Sequence, residues 1–233
     1  LNGIHPATSG EMYMDGEKLE INGVKQAQAK GISIIYQEFN LINTLSVAEN
    51  IFLGRYNGKK TIAWKELKNK AAELLADLGF NFDVNKEVGK LSTAEKQLVE
   101  IAKALSLDAR IIVMDEPTSS LTEKEVDMFF PIIERLKAKG ITVIYISHKL
   151  DEIYRLCDDV TIMRDGQYIT SMDFAGTPMD TIITNMVGRE IKEKFPRVEC
   201  QKGEKIFEVK NLNAGKLVRD INFEVYAGEI VGF

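Results

Sequence analysis

The chain has 233 residues and a net charge of −5, with 45% hydrophobic and 28% charged residues, which are the proportions of a folded globular protein. No Lys/Arg-rich stretch interleaved with aromatic residues is present, so nucleic-acid binding is disfavoured as the main task. The only two cysteines, Cys157 and Cys200, are too far apart for a zinc-ligand spacing, and no apolar run approaches the roughly 18 residues of a membrane-spanning helix.

The first hundred residues alternate short strands with a helical region. Glu11–Met14 is predicted to be a short strand, and Gly31–Gln37 a buried strand that ends on a polar residue. From about Val47 to Leu107 the pattern is helical, most clearly over Trp64–Leu78, where leucine and alanine recur at helical spacing. We therefore expect a helical subdomain at about 43–107.

Two apolar strands with a helix between them follow this region. Ser92 and Glu95 form a Ser-x-x-Glu capping box that opens a helix. The strands are predicted at Ile111–Met114 and Ile141–Ile146, and the helix at about Lys124–Lys139. Strands joined in this way form a right-handed parallel crossover, which predicts an α/β fold with a mostly parallel sheet and ligands at the carboxyl ends of its strands.

The last third of the chain predicts an antiparallel β portion. Asp165-Gly166 between two apolar segments indicates a hairpin, and a helix is expected around Met179–Val187. Three further strands are predicted at Ile206–Val209, Ile221–Val225 and Glu229–Phe233. We expect residues 1–196 to be most of a first domain, 197–203 a linker, and 204–233 the first strands of a second domain.

Asp115 and Glu116 are the first functional candidates, because two adjacent acids end the predicted buried strand. A phosphoryl-transfer site needs one carboxylate for Mg²⁺ and another to polarise an attacking water. The alternative for this pair alone is an acidic turn after a core strand.

Four motifs stand in a fixed order around this pair. They are Gln37 after a strand, Leu91–Glu95 at a helix start, Asp115-Glu116, and His148 after the next strand. Together with Thr118–Thr122 they resemble the Q-loop, signature, Walker B, H-switch and D-loop of ATP-binding cassette ATPases. The resemblance is closest to the ATP-binding subunits of bacterial monosaccharide importers of the ribose, galactose and xylose group, over Ala94–Leu105, Met114–Val126, Val143–Glu152 and Met186–Glu190.

The resemblance implies ATP and Mg²⁺ as cofactors and assigns roles to single residues. Asp115 would hold Mg²⁺, and Glu116 would orient or deprotonate the attacking water. His148 would contact the γ-phosphate, and Gln37 would bind Mg²⁺ and the water on a loop that touches the permease. Without the motifs, His148 and Gln37 would be read as structural residues.

The signature and D-loop depart from the common family pattern. Ser92, Thr93, Ala94 and Glu95 would bind the ATP of a partner cassette, but Thr93 and Ala94 replace two glycines and Glu95 replaces glutamine. Read alone, Ser92–Glu95 is a helix cap. Ser119 and Ser120 belong to the D-loop, where Thr122 replaces a common aspartate.

The phosphate cradle Gly-x-x-x-x-Gly-Lys-Ser/Thr is absent from the sequence. Family order places it before Leu1, so we expect a fragment of a parent ATPase that lacks activity by itself. A further hypothesis is that Ile206–Phe233 folds back, or swaps between copies, into the places of missing strands.

The resemblance implies an ATPase subunit that powers import of a simple sugar, on the cytoplasmic side of a bacterial membrane. Its partners would be permease subunits, a sugar-binding protein and a second ATP-binding domain of the same chain. A soluble cassette ATPase of translation or DNA repair and a non-hydrolysing regulatory module are the alternatives. The sequence does not identify the sugar.

Overall fold

The computed structural model describes residues 1–55, 62–188 and 202–232, which form two compact units. The first comprises Leu1–Ile162 and Tyr168–Thr177, and the second Met163–Gln167 and Pro178–Phe233. Residues 197–201 of the predicted linker lie outside the described residues. The proposed domain boundary therefore stays a prediction.

The elements follow the predicted alternation closely. The strands are β1 Met12–Met14, β2 Glu17–Leu19, β3 Ile32–Ile35, β4 Ile111–Asp115, β5 Thr142–Ile146, β6 Asp159–Arg164, β7 Gln167–Asp173, β8 Lys205–Ala214 and β9 Val218–Tyr226. The helices are α1 Val24–Ala29, α2 Val47–Ile51, α3 Trp64–Asp77, α4 Thr93–Leu105, α5 Glu123–Ala138, α6 Leu150–Leu156 and α7 Met179–Val187.

A parallel sheet in the order β3-β4-β5 organises the first unit. Met114 of β4 lies opposite Ile35 of β3 and Tyr145 of β5, so the three strands end at the same edge. The predicted α/β class with a parallel crossover is confirmed. Polar residues that follow these strands in sequence are thereby brought to one edge of the sheet.

The main core joins this sheet with apolar residues of four helices. Ile112 and Met114 of β4 are fully buried among apolar residues of α2, α3, α4 and α5. A smaller cluster of Leu19, Ile21, Ala27 and Ile32 covers part of the sheet near β1, β2 and α1. Burial of this apolar surface, worth about 25 cal/mol per Å², holds the strand ends at fixed positions.

The second unit contains α7 and the antiparallel pair β8 and β9. These two strands form their own two-stranded sheet, so the hypothesis that Ile206–Phe233 completes the parallel sheet of its own chain is wrong for the described residues. The predicted strand over Glu229–Phe233 is also absent from Glu229–Gly232, and Phe233 lies outside the described residues. The alternative, a swap of these strands between copies, stays a prediction.

Among the described residues, none of the helices has the length and apolar composition needed to cross a bilayer.

Candidate functional site

The ends of β3, β4 and β5 carry the predicted site residues. Asp115 is the last residue of β4, and Gln37 and His148 follow β3 and β5 by two residues each. The chain turns sharply after β4, because Glu116 has a left-handed φ of 45°. Its backbone N–H donates to the Ile146 carbonyl at 2.9 Å, which holds the Glu116 side chain beside the end of β5.

Glu116 is the centre of the site. Its Oε1 lies 3.0 Å from His148 Nδ1, and its Oε2 accepts a long hydrogen bond of 3.4 Å from Gln37 Nε2. The Glu116 side chain is 30% exposed and that of His148 is 68% exposed, so this group is open to a ligand. The structure thus brings together the three residues predicted to be catalytic, while their roles remain predictions.

Asp115 suits a metal ion by chemistry and position. It is half-buried at the strand end, and among the described residues its carboxylate forms no ion pair with a lysine, arginine or histidine. The described part of the chain contains no cluster of three or more Asp, Glu, His or Cys that could hold a metal. Mg²⁺ keeps most of its waters and needs one or two carboxylates plus phosphate oxygens, so Asp115, with Gln37 nearby, fits the ion.

The signature segment forms the helix cap that the sequence indicates. Ser92 Oγ accepts from the Glu95 N–H at 3.2 Å, and Glu95 Oε2 accepts from the Ser92 N–H at 2.8 Å. Lys86 Nζ lies 3.7 Å from the same carboxylate oxygen. In the described residues no hydrogen bond or ion pair joins Ser92, Thr93, Ala94 or Glu95 to the Glu116 group.

Ser119 and Ser120 of the D-loop segment are exposed just after Glu116. The Ser119 N–H donates to the Glu116 carbonyl at 3.1 Å, so the turn begins directly at the catalytic candidate. Thr122, where the family often has aspartate, instead caps α5 in a capping box with Glu125. The structure therefore shows Thr122 as the N-cap of α5.

The loop after Gln37 is fastened to α4. Lys103 Nζ donates to the Asn40 carbonyl at 2.9 Å, and the buried Glu100 lies on the same helix. Burial raises the pKa of Glu100, although Lys103 and the Asn40 N–H act in the opposite direction. The helix that begins at Ser92 therefore also holds the loop that carries Gln37.

Sequence reasoning missed Glu152 of α6. Glu152 is only 6% exposed, and its carboxylate accepts hydrogen bonds from Thr118 and Tyr145. Burial tends to raise the pKa of Glu152, but these bonds and Lys149 outweigh it and keep the pKa below the usual range. Nothing in the local pattern distinguishes Glu152 from exposed Asp151, so only the three-dimensional structure identifies it.

Comparisons with known proteins agree with this geometry. The family described as ABC transporter matches residues 1–119, just over half of the 233 residues. A ribose import ATP-binding protein from Chromobacterium violaceum is 42% identical over 234 residues, covering 100% of this chain and 47% of that protein. A galactose/methyl galactoside import ATP-binding protein from Escherichia coli is 43% identical over 235 residues, covering 100% and 46% respectively. The chain spans about half the length of the curated relatives it matches.

Solved structures show the same fold. An ATP-binding cassette of an ABC transporter in its ADP conformation has a TM-score of 0.69 at 25% identity, covering 81% of this chain and 80% of that chain. A nucleotide-free ATP-binding cassette has a TM-score of 0.66 at 26% identity, covering 82% and 79%. These likenesses confirm the predicted cassette fold.

Proposed function

The chain belongs to the ABC transporter family, and from this premise we propose that it is part of the ATP-hydrolysing subunit of a monosaccharide importer. The observation that carries the proposal is the 3.0 Å contact between Glu116 and His148, with Gln37 on the other carboxylate oxygen. A carboxylate held between an imidazole and an amide is equipped to orient a water and accept its proton.

Each residue has a separate task in this proposal. Glu116 positions the attacking water and takes its proton. His148 orients the Glu116 carboxylate through Nδ1 and leaves Nε2 free to reach the γ-phosphate. Asp115, together with Gln37, would hold Mg²⁺, which when bound neutralises charge on the phosphates.

The relatives' names support the transport role and the partners. The relatives described above are import ATP-binding proteins for ribose and for galactose or methyl galactoside. We therefore expect membrane permease subunits, a sugar-binding protein and a second ATP-binding domain as partners, on the cytoplasmic face of the membrane. The sequence contains no Lys/Arg-rich stretch interleaved with aromatic residues, so a nucleic-acid-binding role is disfavoured.

The second candidate function differs at the signature segment Ser92–Glu95. In this alternative, that segment does not support hydrolysis of the ATP held by the partner cassette. Glu95 already accepts the Ser92 N–H at 2.8 Å and places a negative charge where a partner's phosphate would approach. In that case the Glu116 group would hydrolyse ATP, while Ser92–Glu95 would serve chiefly as a cap and a regulatory contact.

The test replaces the matched region of the E. coli galactose/methyl galactoside import ATP-binding protein by this chain. The chimera is expressed in a strain that lacks its own copy. We expect Mg²⁺-dependent ATP hydrolysis and restored sugar uptake, because the inserted chain supplies Gln37, Asp115, Glu116 and His148. The unmodified relative is the positive control.

Assembly is checked by co-purification of the chimera with the permease subunits. A chimera that assembles normally but neither hydrolyses ATP nor supports uptake would contradict the proposal. A polypeptide of the 233 residues alone should show no ATPase activity, because its sequence lacks the phosphate cradle that supplies most nucleotide affinity. Robust turnover by that polypeptide would mean that the nucleotide site has been misplaced.

A further inference from the structure

The buried carboxylate of Glu152 touches both loops that carry the Glu116–His148 pair. It lies on α6, just after the His148 loop, and is not itself exposed to the site. Its partners come from the segment after β4, from β5 itself and from the segment after β5. Beyond the backbone hydrogen bond from Glu116 to the Ile146 carbonyl, a single side chain therefore connects the segments that follow β4 and β5.

The first connection is to Thr118, two residues after Glu116. Thr118 is 1% exposed, and its hydroxyl lies 2.7 and 2.6 Å from the two Glu152 carboxylate oxygens. Lys149 Nζ donates to the Thr118 carbonyl at 3.1 Å, so this residue is held through both its side chain and its backbone. Glu152 and Lys149 of the α6 segment thereby hold the turn that contains Glu116.

The second connection is to the residues on either side of His148. The Tyr145 hydroxyl donates to Glu152 at 2.8 Å, and Lys149 Nζ lies 3.2 Å from the same carboxylate. Ser147 Oγ accepts from the Lys149 N–H at 3.0 Å, which closes the turn around His148. Burial raises the pKa of Tyr145, so its hydroxyl keeps its proton and remains a donor.

We propose that Glu152 is a positioning residue that sets the distance between Glu116 and His148, an inference that rests on the proposed function. A buried carboxylate with several donors has one stable arrangement, because any displacement leaves a charge or a hydroxyl unpaired. Movement of either loop breaks bonds to Glu152 before it lengthens the 3.0 Å contact between Glu116 and His148. Shifts of about 1 Å at reacting groups can lower rates by on the order of 100-fold.

The test measures His148 directly, by nitrogen-15 NMR of the 233-residue chain without nucleotide. The sequence contains only two histidines, and His5 is exposed, so it serves as an internal reference. Glu116→Gln defines the His148 spectrum when the charged partner is lost. We expect Glu152→Gln and Thr118→Val to move the His148 Nδ1 resonance toward that spectrum while His5 stays unchanged.

Asp151→Asn is the matched control, because it removes an exposed carboxylate from the adjacent position of the same helix. It should leave both histidines unchanged. In the chimera, Glu152→Gln should lower kcat about 10-fold or more with little change in KM.

A folded Glu152→Gln or Thr118→Val protein whose His148 resonance matches the unmodified chain would overturn the proposal, even if its melting temperature fell. Should Glu152→Gln fail to fold, Thr118→Val alone decides, since it keeps the side-chain volume and removes one hydroxyl. The NMR result does not depend on ATP hydrolysis. It therefore separates a failed positioning role from a failed assignment of the ATPase function.

Discussion

Glu116 has a strained backbone conformation, and its side chain lies between His148 and Gln37. A φ of 45° is uncommon for a residue with a Cβ and costs on the order of 1–2 kcal/mol. The Glu116 N–H bond to the Ile146 carbonyl at 2.9 Å helps to maintain that conformation. Glycine would relieve the strain but would remove the carboxylate, so the chain retains a less stable residue at the point where the proposed chemistry needs it.

Replacement of Glu116 by glutamine tests the base directly. In the chimera we expect turnover to fall by about 100-fold or more, because the amide cannot accept the proton of the attacking water. Nucleotide affinity should change little, since Asp115 and the contacts that the second ATP-binding domain makes to the phosphates are unchanged. Single-turnover hydrolysis and a nucleotide titration give the two quantities, and an equal loss in both would argue against the assigned role.

Glu152 should make stability depend on pH. Its pKa in the folded chain is lowered from the ordinary value of 4.5, so its contribution is fully present above pH 4.5 and is lost as pH falls through the folded pKa. Glu152→Gln should therefore be less stable than the unmodified chain near neutral pH, by on the order of 1–3 kcal/mol. Urea unfolding across pH 3–7 should show this difference shrinking toward the acid end, and a constant difference would exclude linkage to Glu152.

Some elements could be predicted from sequence because one force dominates them. Ile111–Met114 is an uninterrupted apolar run, and Met179–Val187 carries an apolar helical stripe that ends at Gly188; both are found where they were predicted. Ser92 and Glu95 likewise form the expected capping box, because its contacts are local. Glu152 could not be found in this way, since the burial of a carboxylate depends on donors that come from distant segments.

The start of α4 can distinguish a helix cap from a phosphate contact. Aspartate caps helices about as well as serine, so Ser92→Asp should keep the stability of the chain. Ser92→Ala should lower it by about 1 kcal/mol. If the hydroxyl also meets a phosphate of the partner site, Ser92→Asp in the chimera should lose turnover through charge repulsion.

Ser92→Thr is the control for both measurements, because it preserves the cap and the hydroxyl. Urea unfolding measures stability, and ATP hydrolysis by the chimera measures the phosphate contact. Full activity in Ser92→Asp would leave Ser92–Glu95 with the role of a cap alone.

At the scale of the whole molecule, proximity along the chain explains the pairing of β8 with β9 but not that of β3 with β4, between which α2, α3 and α4 lie in sequence. β8 and β9 are joined by a short turn and pair with each other, whereas pairing with β5 would close a loop of about 60 residues. This cost is small, because loop-closure entropy grows slowly with length, so it favours the local pairing without requiring it. Hydrophobicity predicted that the segments are strands, but it could not predict which partner they choose.

The parallel sheet consequently has an apolar edge. Among the described residues β5 pairs with β4 alone, and Ile144 and Ile146 of β5 are 38% and 47% exposed. An unpaired apolar edge strand promotes association between copies. We therefore expect the 233-residue chain to self-associate as its concentration rises, and Ile144→Lys to reduce that association, because a charge at the edge must be desolvated when another strand pairs there.

Thr142→Lys is the matched control for this edge. It places the same charge on the same exposed side of β5 without removing an apolar side chain. Sedimentation velocity over a concentration series measures the association of both variants. If the apolar contact drives association, Ile144→Lys lowers the average mass more than Thr142→Lys does. Equal effects of the two variants would assign the change to net charge. An unmodified chain that stays monomeric at every concentration would contradict the prediction.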